Sequence, residues 1–334
     1  MEQITLKSPL DMHLHLRDGE VLKSVAKYTA KSFSGALVMP NLNPPILNVD
    51  SALAYKQRIL EAMGEEKFNP MMSLYLTESL DRNELLKAKD NGICFLKLYP
   101  KGATTGSENG VSEILNPKIL EILEIAQELD LILSIHGESN GFVLEREAEF
   151  HQVFIELAET FPRLKIIFEH LSDRRSIAVV EKYPNLYATL TLHHISMSLD
   201  DVIGGALNPH AFCKPILKTP KDRDALREVA LNAHSKFSFG SDSAPHLQGS
   251  KENAKGAAGI FSAPILLPTL AMIFEAHDKM DNLERFVSLN AQRIYGIHAS
   301  DKQVILVKKP MAIPHEIHGI VPLNAGGSLT WSFG

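Results

Sequence analysis

Eight short apolar, β-rich runs recur along this chain, and helix-like stretches separate most of them. The first is "DMHLHLR", Asp11 to Arg17; the others are "GALVMPN", "PMMSLYLT", "ICFLKLYP", "LILSIHGE", "KIIFEHLS", "LYATLTLHH" and "FSFGSDSAP". Between them lie stretches such as "GEVLKSVAKYTAKSF", "DSALAYKQRILEAMG" and "NPKILEILEIAQELD". Strand–helix alternation predicts a parallel sheet covered by helices. Eight such units in 334 residues fit an α/β fold of the closed (β/α)8 TIM-barrel type better than an open, doubly wound sheet. No GxGxxG follows the first run, which counts against a dinucleotide-binding domain. The alternation stops after Ile297, and "KQVILVKKP" and "GSLTWSFG" read as short strands packed outside the barrel. The expectation is one domain over 1–334, with the barrel over 8–297 and a C-terminal extension over 298–334.

Composition narrows the partners. Apolar residues make up 45% and charged residues 22% of the chain, which allows a large core. A net charge of −6 supplies no bulk attraction to nucleic acid or anionic membranes. The two cysteines, Cys94 and Cys213, lie far apart and in no CxxC pattern, so a reduced, cytoplasmic protein is expected. The opening "MEQITLKSPL" lacks a basic region followed by an apolar core, so no signal peptide is expected. The segment Ala257 to Phe274 is uncharged over a length that approaches a bilayer span, but Pro264 and Pro268 interrupt it. It reads as a buried helix starting near Pro264.

The unusual polar residues fall at the C-terminal ends of the predicted strands. The first carries His13, His15 and Arg17, which share one face if the strand alternates strictly, with Met12, Leu14 and Leu16 on the other. The second ends in Asn41, and the fourth, fifth, sixth and eighth carry Lys97, His136, His170 and Asp242. In a parallel barrel these ends share one rim, the rim on which barrel enzymes build their sites. Four histidines and an aspartate there make a set suited to zinc. His193, His194, His298, His315 and His318 fall outside this strand-end pattern. Lys97 contradicts the set, because like charge and desolvation both oppose an ammonium beside a metal. A neutral amine that adds carbon dioxide becomes a carbamate, an anionic ligand able to bridge two metals, and the contradiction disappears.

These motifs together, "DMHLHLRDG", "VMPNLNPP", "FLKLYPKGATTGSENGV", "SIHGE", "FEHLS" and "GSDSAPH", with "NAQRIYGI" as the last helix, resemble dihydroorotases of the single-function bacterial type, in the amidohydrolase superfamily. The resemblance covers nearly the whole chain. It implies a first zinc held by His13, His15, carbamylated Lys97 and Asp242, and a second held by Lys97, His136 and His170. It also implies that Arg17, Asn41 and His246 hold the substrate's carboxylate, with His136 and the backbone of Ala258 contacting the substrate. Lys214, in "FCKPILK", stands at a substrate-side position where the family has an apolar residue, and "LTLHHISMSLDD" departs from the family pattern. Thr104 and Thr105 match threonines of a mobile loop that closes over the substrate; a phosphate-cradle reading of that loop fails for want of a GK[ST] sequence. The implied reaction is reversible cyclisation of N-carbamoyl-L-aspartate to L-dihydroorotate plus water, in pyrimidine biosynthesis, by a metal-bridged hydroxide with Asp242 as proton shuttle. A homodimer in the cytoplasm, binding this small molecule and neither nucleic acid nor membrane, completes what the resemblance implies.

Three rivals stand beside it. A hydantoinase- or allantoinase-like cyclic amidase would share the two-metal site, but Arg17 and Asn41 favour a ring that carries a carboxylate. A mononuclear deaminase would have no use for Lys97. A catalytically inactive scaffold subunit should have lost metal ligands, and all are present here.

Overall fold

The structure, a computed structural model, describes residues 2–334. After β1 (Gln3–Lys7), eight strands follow one another in space in the order of the sequence: β2 (Leu10–Leu14), β3 (Gly35–Val38), β4 (Asn69–Tyr75), β5 (Phe95–Leu98), β6 (Ile132–Ile135), β7 (Lys165–Phe168), β8 (Leu186–Leu190) and β9 (Phe237–Phe239). Every neighbouring pair is parallel, from Leu10 opposite Gly35 to Leu190 opposite Phe239. The sheet closes where the end of β9 meets β2. There Leu14 bridges Ser243, and the Asp242 amide donates to the His13 carbonyl at 2.8 Å. Asp11, fully buried, completes the seam by accepting from the Ser241 amide at 2.7 Å and the Ser241 hydroxyl at 2.6 Å. The expected eight-stranded barrel is present.

The larger helices begin where the sequence supplies caps. Asp18, Asn48, Asp81, Asn116 and Thr219 accept from the first turns of α1 (Gly19–Ser32), α2 (Val49–Met63), α3 (Arg82–Asp90), α4 (Pro117–Glu128) and a later helix, Pro220–Leu231. Asn48 with Ser51, and Thr219 with Asp222, form reciprocal capping boxes. Between α4 and that later helix lie α5 (Arg146–Glu149), α6 (His151–Thr160), α7 (Arg175–Lys182), α8 (Leu192–Ser196) and α9 (Asp200–Ile203), so Pro220–Leu231 is α10. The chain continues through α11 (Gln248–Lys251), α12 (Leu266–Ala276) and α13 (Asn290–Tyr295). The uncharged segment behaves as expected: a 3-10 turn at Ala263–Ile265 leads into α12, and no described helix is long and apolar enough to cross a membrane.

Strand periodicity explains how the barrel positions polar groups. Phe95, Ile132 and Ile167 pack with Leu10, Met12, Leu37 and Met39 in an inner cluster closed from below by Ala291, Ile294 and Tyr295 of α13. Lys97, His136 and Glu169 lie two, four and two residues further along the same strands, so they face inward above this apolar plug.

Outside the barrel, β10 (Gln303–Val307) pairs antiparallel with β1 and with β13 (Ser332–Phe333), and β11 (Met311–Ala312) pairs with β12 (Ser328–Leu329). β1 has no counterpart among the strands expected from the sequence. It exists because β10, roughly three hundred residues later, supplies its edge: Thr5 stands opposite Ile305.

Candidate active site

The strand ends bring the predicted residues to one mouth. His13, His15, Arg17, Asn41, Thr104, Thr105, His136, His170, Lys214, Asp242 and Ala258 line one small cavity there, with Tyr99, Ala244 and Gly259. Lys97 lies behind this lining, fully buried, with its Nζ 5.0 Å from the Tyr99 ring centre. His246 also stands back from the cavity and meets it through Arg17.

The alternation expected in the first strand fails in detail. β2 ends at Leu14, with a register shift between Asp11 and Leu14, and Met12 packs in the inner cluster rather than with Leu14 and Leu16. Arg17 lies beyond the strand at φ +57°. The three residues reach one cavity because the chain turns, not because they share a strand face. Left-handed backbone recurs at His170 (φ +41°) and Asp242 (φ +45°). At His170 it breaks the two-residue alternation, so that the successive residues Glu169 and His170 both reach the site. Such conformations cost on the order of 1–3 kcal/mol each and are held by the surrounding packing.

Hydrogen bonds orient the imidazoles. His13 Nδ1 lies 2.8 Å from Glu169 Oε2, and His15 Nδ1 lies 2.8 Å from Asn41 Oδ1. Each acceptor draws the ring proton to Nδ1 and leaves Nε2 bare. Both bare nitrogens face Asp242 Oδ1, at 3.5 Å and 3.0 Å. On the other side, His136 Nε2 lies 2.8 Å from Glu138 Oε2, while His136 Nδ1 and His170 Nε2 face each other at 3.2 Å. The lone pairs of His13 and His15 that converge on the Asp242 carboxylate need a proton or a cation between them, whereas the single N–H of neutral His170 can lie between its Nε2 and His136 Nδ1. Burial opposes the proton: it pushes the His15 pKa down to about 4 and lowers those of His136 and His170.

Asp242 stays ionised. Burial alone raises its pKa, but at the low pH where a carboxyl titrates a protonated His15 would donate to it, and that bond with the positive fields of protonated His13, His15 and His193 brings it well below the ordinary carboxylate range. Lys97 Nζ has no hydrogen-bond partner among the described residues, and burial brings its pKa down to about 8 against the pull of Glu169 and Asp242. An unpartnered, easily deprotonated amine is the state from which a carbamate forms. The donor set therefore fits metal binding: His13, His15 and Asp242 offer three ligand atoms within 4.8 Å of one another, and His136, His170 and Lys97 adjoin them.

Around the set, Arg17 donates from Nε to the Pro245 carbonyl at 3.2 Å and from Nη2 to His246 Nε2 at 2.9 Å. The same His246 nitrogen lies 3.0 Å from the Ala258 carbonyl. Asn41 is committed at both ends, accepting from His15 and donating to the Thr105 carbonyl at 2.9 Å. Thr105 Oγ1 also reaches the Ala258 carbonyl at 3.4 Å, so the loop carrying Thr104 and Thr105 lies down across the cavity. Gly259 (φ +149°) approaches so closely that a Cβ would sit 2.6 Å from the Ala244 carbonyl, so only glycine fits.

Sequence reasoning missed Glu169, Glu138 and Tyr99. Glu169 is a carboxylate inside the apolar run "KIIFEHLS", and that misfit was its signal. His193 and His194, set apart earlier as outside the strand-end pattern, are also fully buried near the site. The reason is α8, which begins two residues after β8 ends and folds both imidazoles inward.

Comparison with known proteins places this geometry. The model of the amidohydrolase family matches residues 10–300. A dihydroorotase from Helicobacter hepaticus is 56% identical, over 99% of this chain and 97% of that protein. The crystal structure of dihydroorotase from Campylobacter jejuni superposes with a TM-score of 0.94 at 43% identity, covering 99% of this chain and 97% of that one. Dihydroorotase from Saccharomyces cerevisiae, solved in complex with 5-fluoroorotic acid, gives a TM-score of 0.94 at 34% identity, over 100% and 99% of the two chains.

Proposed function

This chain belongs to the amidohydrolase family, among its dihydroorotases, and from that premise we propose how its residues perform the reaction. The chain is a cyclic amide hydrolase that interconverts N-carbamoyl-L-aspartate and L-dihydroorotate plus water, in pyrimidine biosynthesis. His13, His15, Asp242 and Lys97, the last as a carbamate, would hold one zinc ion, and Lys97 with His136 and His170 would hold a second. The observation that carries this reading is the convergence of the bare His13 and His15 nitrogens on the Asp242 carboxylate, in a place where burial disfavours the proton that would otherwise separate them. The carbamate forms when neutral Lys97 Nζ attacks carbon dioxide and loses one proton to solvent.

When bound, the ions would supply Lewis-acid chemistry, making a water acidic enough to attack near neutral pH and polarising the ring carbonyl. The chain's own residues do the rest. Asp242, ionised, takes the proton of the attacking water and delivers it to the ring nitrogen as the C–N bond breaks. In the direction of synthesis it accepts a proton from the ureido nitrogen. Arg17, pinned by Pro245 and His246, presents its planar fork to the substrate's free carboxylate, with Asn41, His246 and the Ala258 backbone beside it. Lys214, which lines the same cavity, adds a second positive charge, and Thr104 and Thr105 exclude water. A hydantoinase-like reading leaves this cationic subsite without a ligand group, and an inactive scaffold would not retain the whole donor set. The single-domain chain acts in the cytoplasm as a homodimer, a reading supported by family likeness.

Metal content measured together with dihydroorotate hydrolysis tests the assignment. Two ions per chain and hydrolysis are expected; a metal-replete protein that opens hydantoins and not dihydroorotate overturns it. Ring closure consumes a proton, so its apparent constant should fall about tenfold per pH unit above the carboxylate pKa, roughly 100-fold between pH 6 and pH 8. A ratio that does not move would mean that a different reaction is being catalysed.

A further inference from the structure

Beside the mouth, and not lining its cavity, lies a second donor cluster: His193 and His194 on α8, and Cys213 on the connection between α9 and α10. All three are buried, and each offers one donor atom within 4.8 Å of the other two. His193 is the anomaly. Neither of its ring nitrogens has a hydrogen-bond partner among the described residues. A neutral imidazole always carries one N–H and one lone pair, and leaving both dry is a cost that buried histidines ordinarily avoid.

The other two donors are gathered on one atom. His194 Nε2 lies 3.1 Å, and Cys213 Sγ 3.2 Å, from the Pro215 carbonyl oxygen. The second nitrogen of His194, Nδ1, lies 2.9 Å from Thr191 Oγ1, which also caps α8. Two groups that now place their protons on one carbonyl can instead turn their lone pairs to a cation in the same place. Nδ1–H of His194 would then donate to Thr191 Oγ1, the outer contact that metal-bound histidines usually keep.

We propose that His193, His194 and Cys213 form a site for one zinc-class divalent cation, separate from the pair at the mouth. Two imidazoles and a thiolate are the nitrogen–sulfur set that zinc prefers. Bonds of about 2.0–2.3 Å in a tetrahedron place donors roughly 3.3–3.8 Å apart, close to the separations already present around Pro215. The Pro215 carbonyl is at hand for the fourth position. Binding releases the Cys213 thiol proton to solvent and moves the His194 proton from Nε2 to Nδ1, so one proton leaves per ion. Burial holds the free thiol in its protonated form, which means that a cation is what makes it a thiolate. The ion would fasten the connection after β8 to α8, and so steady Lys214, the cavity-lining neighbour of Cys213.

Sulfur makes the test specific, because the donors at the mouth are nitrogen and oxygen only. The protein is stripped of metal, titrated with cobalt(II) and followed in the near ultraviolet, where thiolate-to-cobalt charge transfer absorbs. The expected result is a charge-transfer band that is complete by three cobalt ions per chain, two at the mouth and one here, survives Cys94→Ser and disappears in Cys213→Ser together with one equivalent of metal. A parent protein without the band at cobalt saturation overturns the proposal, as does a band that persists in Cys213→Ser. If Cys213→Ser does not fold, His193→Gln keeps the thiol and serves instead. Its cobalt affinity, read on the same band, should fall by about tenfold or more, and an unchanged affinity overturns the site.

Discussion

At the mouth of the barrel the inward positions carry Lys97, His136, Glu169 and Asp242; two to four residues earlier the same strands carry Phe95, Ile132 and Ile167. The floor ties its carbonyls down through two buried amides and leaves few polar atoms dry, the Tyr295 and Ser238 hydroxyls among them. Asn290 Nδ2 donates to the carbonyls of Ala233, His234 and Phe237 at 3.2, 3.1 and 2.8 Å. Asn185 does the same for Ala158, Phe161 and Leu164. The mouth leaves the ionisable Lys97 Nζ and His170 Nδ1 unpartnered; left-handed backbone occurs at both ends, at Arg17, His170 and Asp242 above and at Ser8, Asp130 and Ala233 below. Size does not mark the chemistry: a cavity of about 560 Å³ opens at the floor, lined by Leu10, Cys94, Phe95 and Tyr295 among others, and it is far roomier than the one at the mouth. One end of each strand is spent on stability, and the other carries groups that are unfavourable to bury and useful to a reaction.

This contrast predicts that changes at the mouth cost activity and spare the fold, while changes at the floor do the reverse. The largest effect should come from Lys97→Ala, which removes an anionic ligand shared by both ions. Activity should fall by at least about 10³-fold, with loss of bound metal and an unchanged circular dichroism spectrum. Acetate or propionate added with metal should restore part of the activity. A variant that keeps its metals and ignores acids would show Lys97 to be merely a buried lysine.

Arg17→Lys comes next. The charge survives but the fork does not, and losing a charged hydrogen bond costs about 1.5–3 kcal/mol, or roughly 10- to 150-fold in kcat/KM. Metal content should match the parent, and kinetics indistinguishable from the parent would remove Arg17 from the substrate site. His246 should contribute no pH dependence of its own to substrate binding between pH 5 and 8. Burial, with Arg17 and Lys251 nearby, pushes its pKa down to about 3, so it is already neutral throughout that range. A KM step in that range that vanishes in His246→Asn would contradict this.

At the floor, Asn290→Ala strands three carbonyls and should destabilise the chain by about 1–3 kcal/mol, read from denaturant unfolding, with kcat/KM within twofold of the parent. A large loss of kcat in a folded Asn290→Ala protein would break the division between the two ends. The smallest effect belongs to Cys94→Ser. The half-buried thiol makes no hydrogen bond among the described residues, and the change should move neither stability, beyond about 0.5–1 kcal/mol, nor activity.

Most of this arrangement was legible in one dimension. The β–α alternation is written in local periodicity, and in a parallel barrel that alone puts every strand's C-terminal end on one rim, so His13, His15, Lys97, His136, His170 and Asp242 could be gathered from positions more than two hundred residues apart. The side-chain types determined the chemistry open to them: imidazoles, a carboxylate and a contradictory lysine admit few readings besides metal. Tertiary structure decided which nitrogen of each ring is free, because that depends on partners far along the chain. Glu169 is 156 residues from His13, and Asn41 is 26 from His15. It also decided where alternation fails. The left-handed turns at Arg17, His170 and Asp242 have no signature in residue type, since none is glycine, and only the packing around them holds those backbones in place. β1 likewise waits for β10 to give it an edge, and His193 and His194 become interior only once α8 folds back from β8. Periodicity is a property of neighbours in sequence, whereas proton placement and strain are set by neighbours in space.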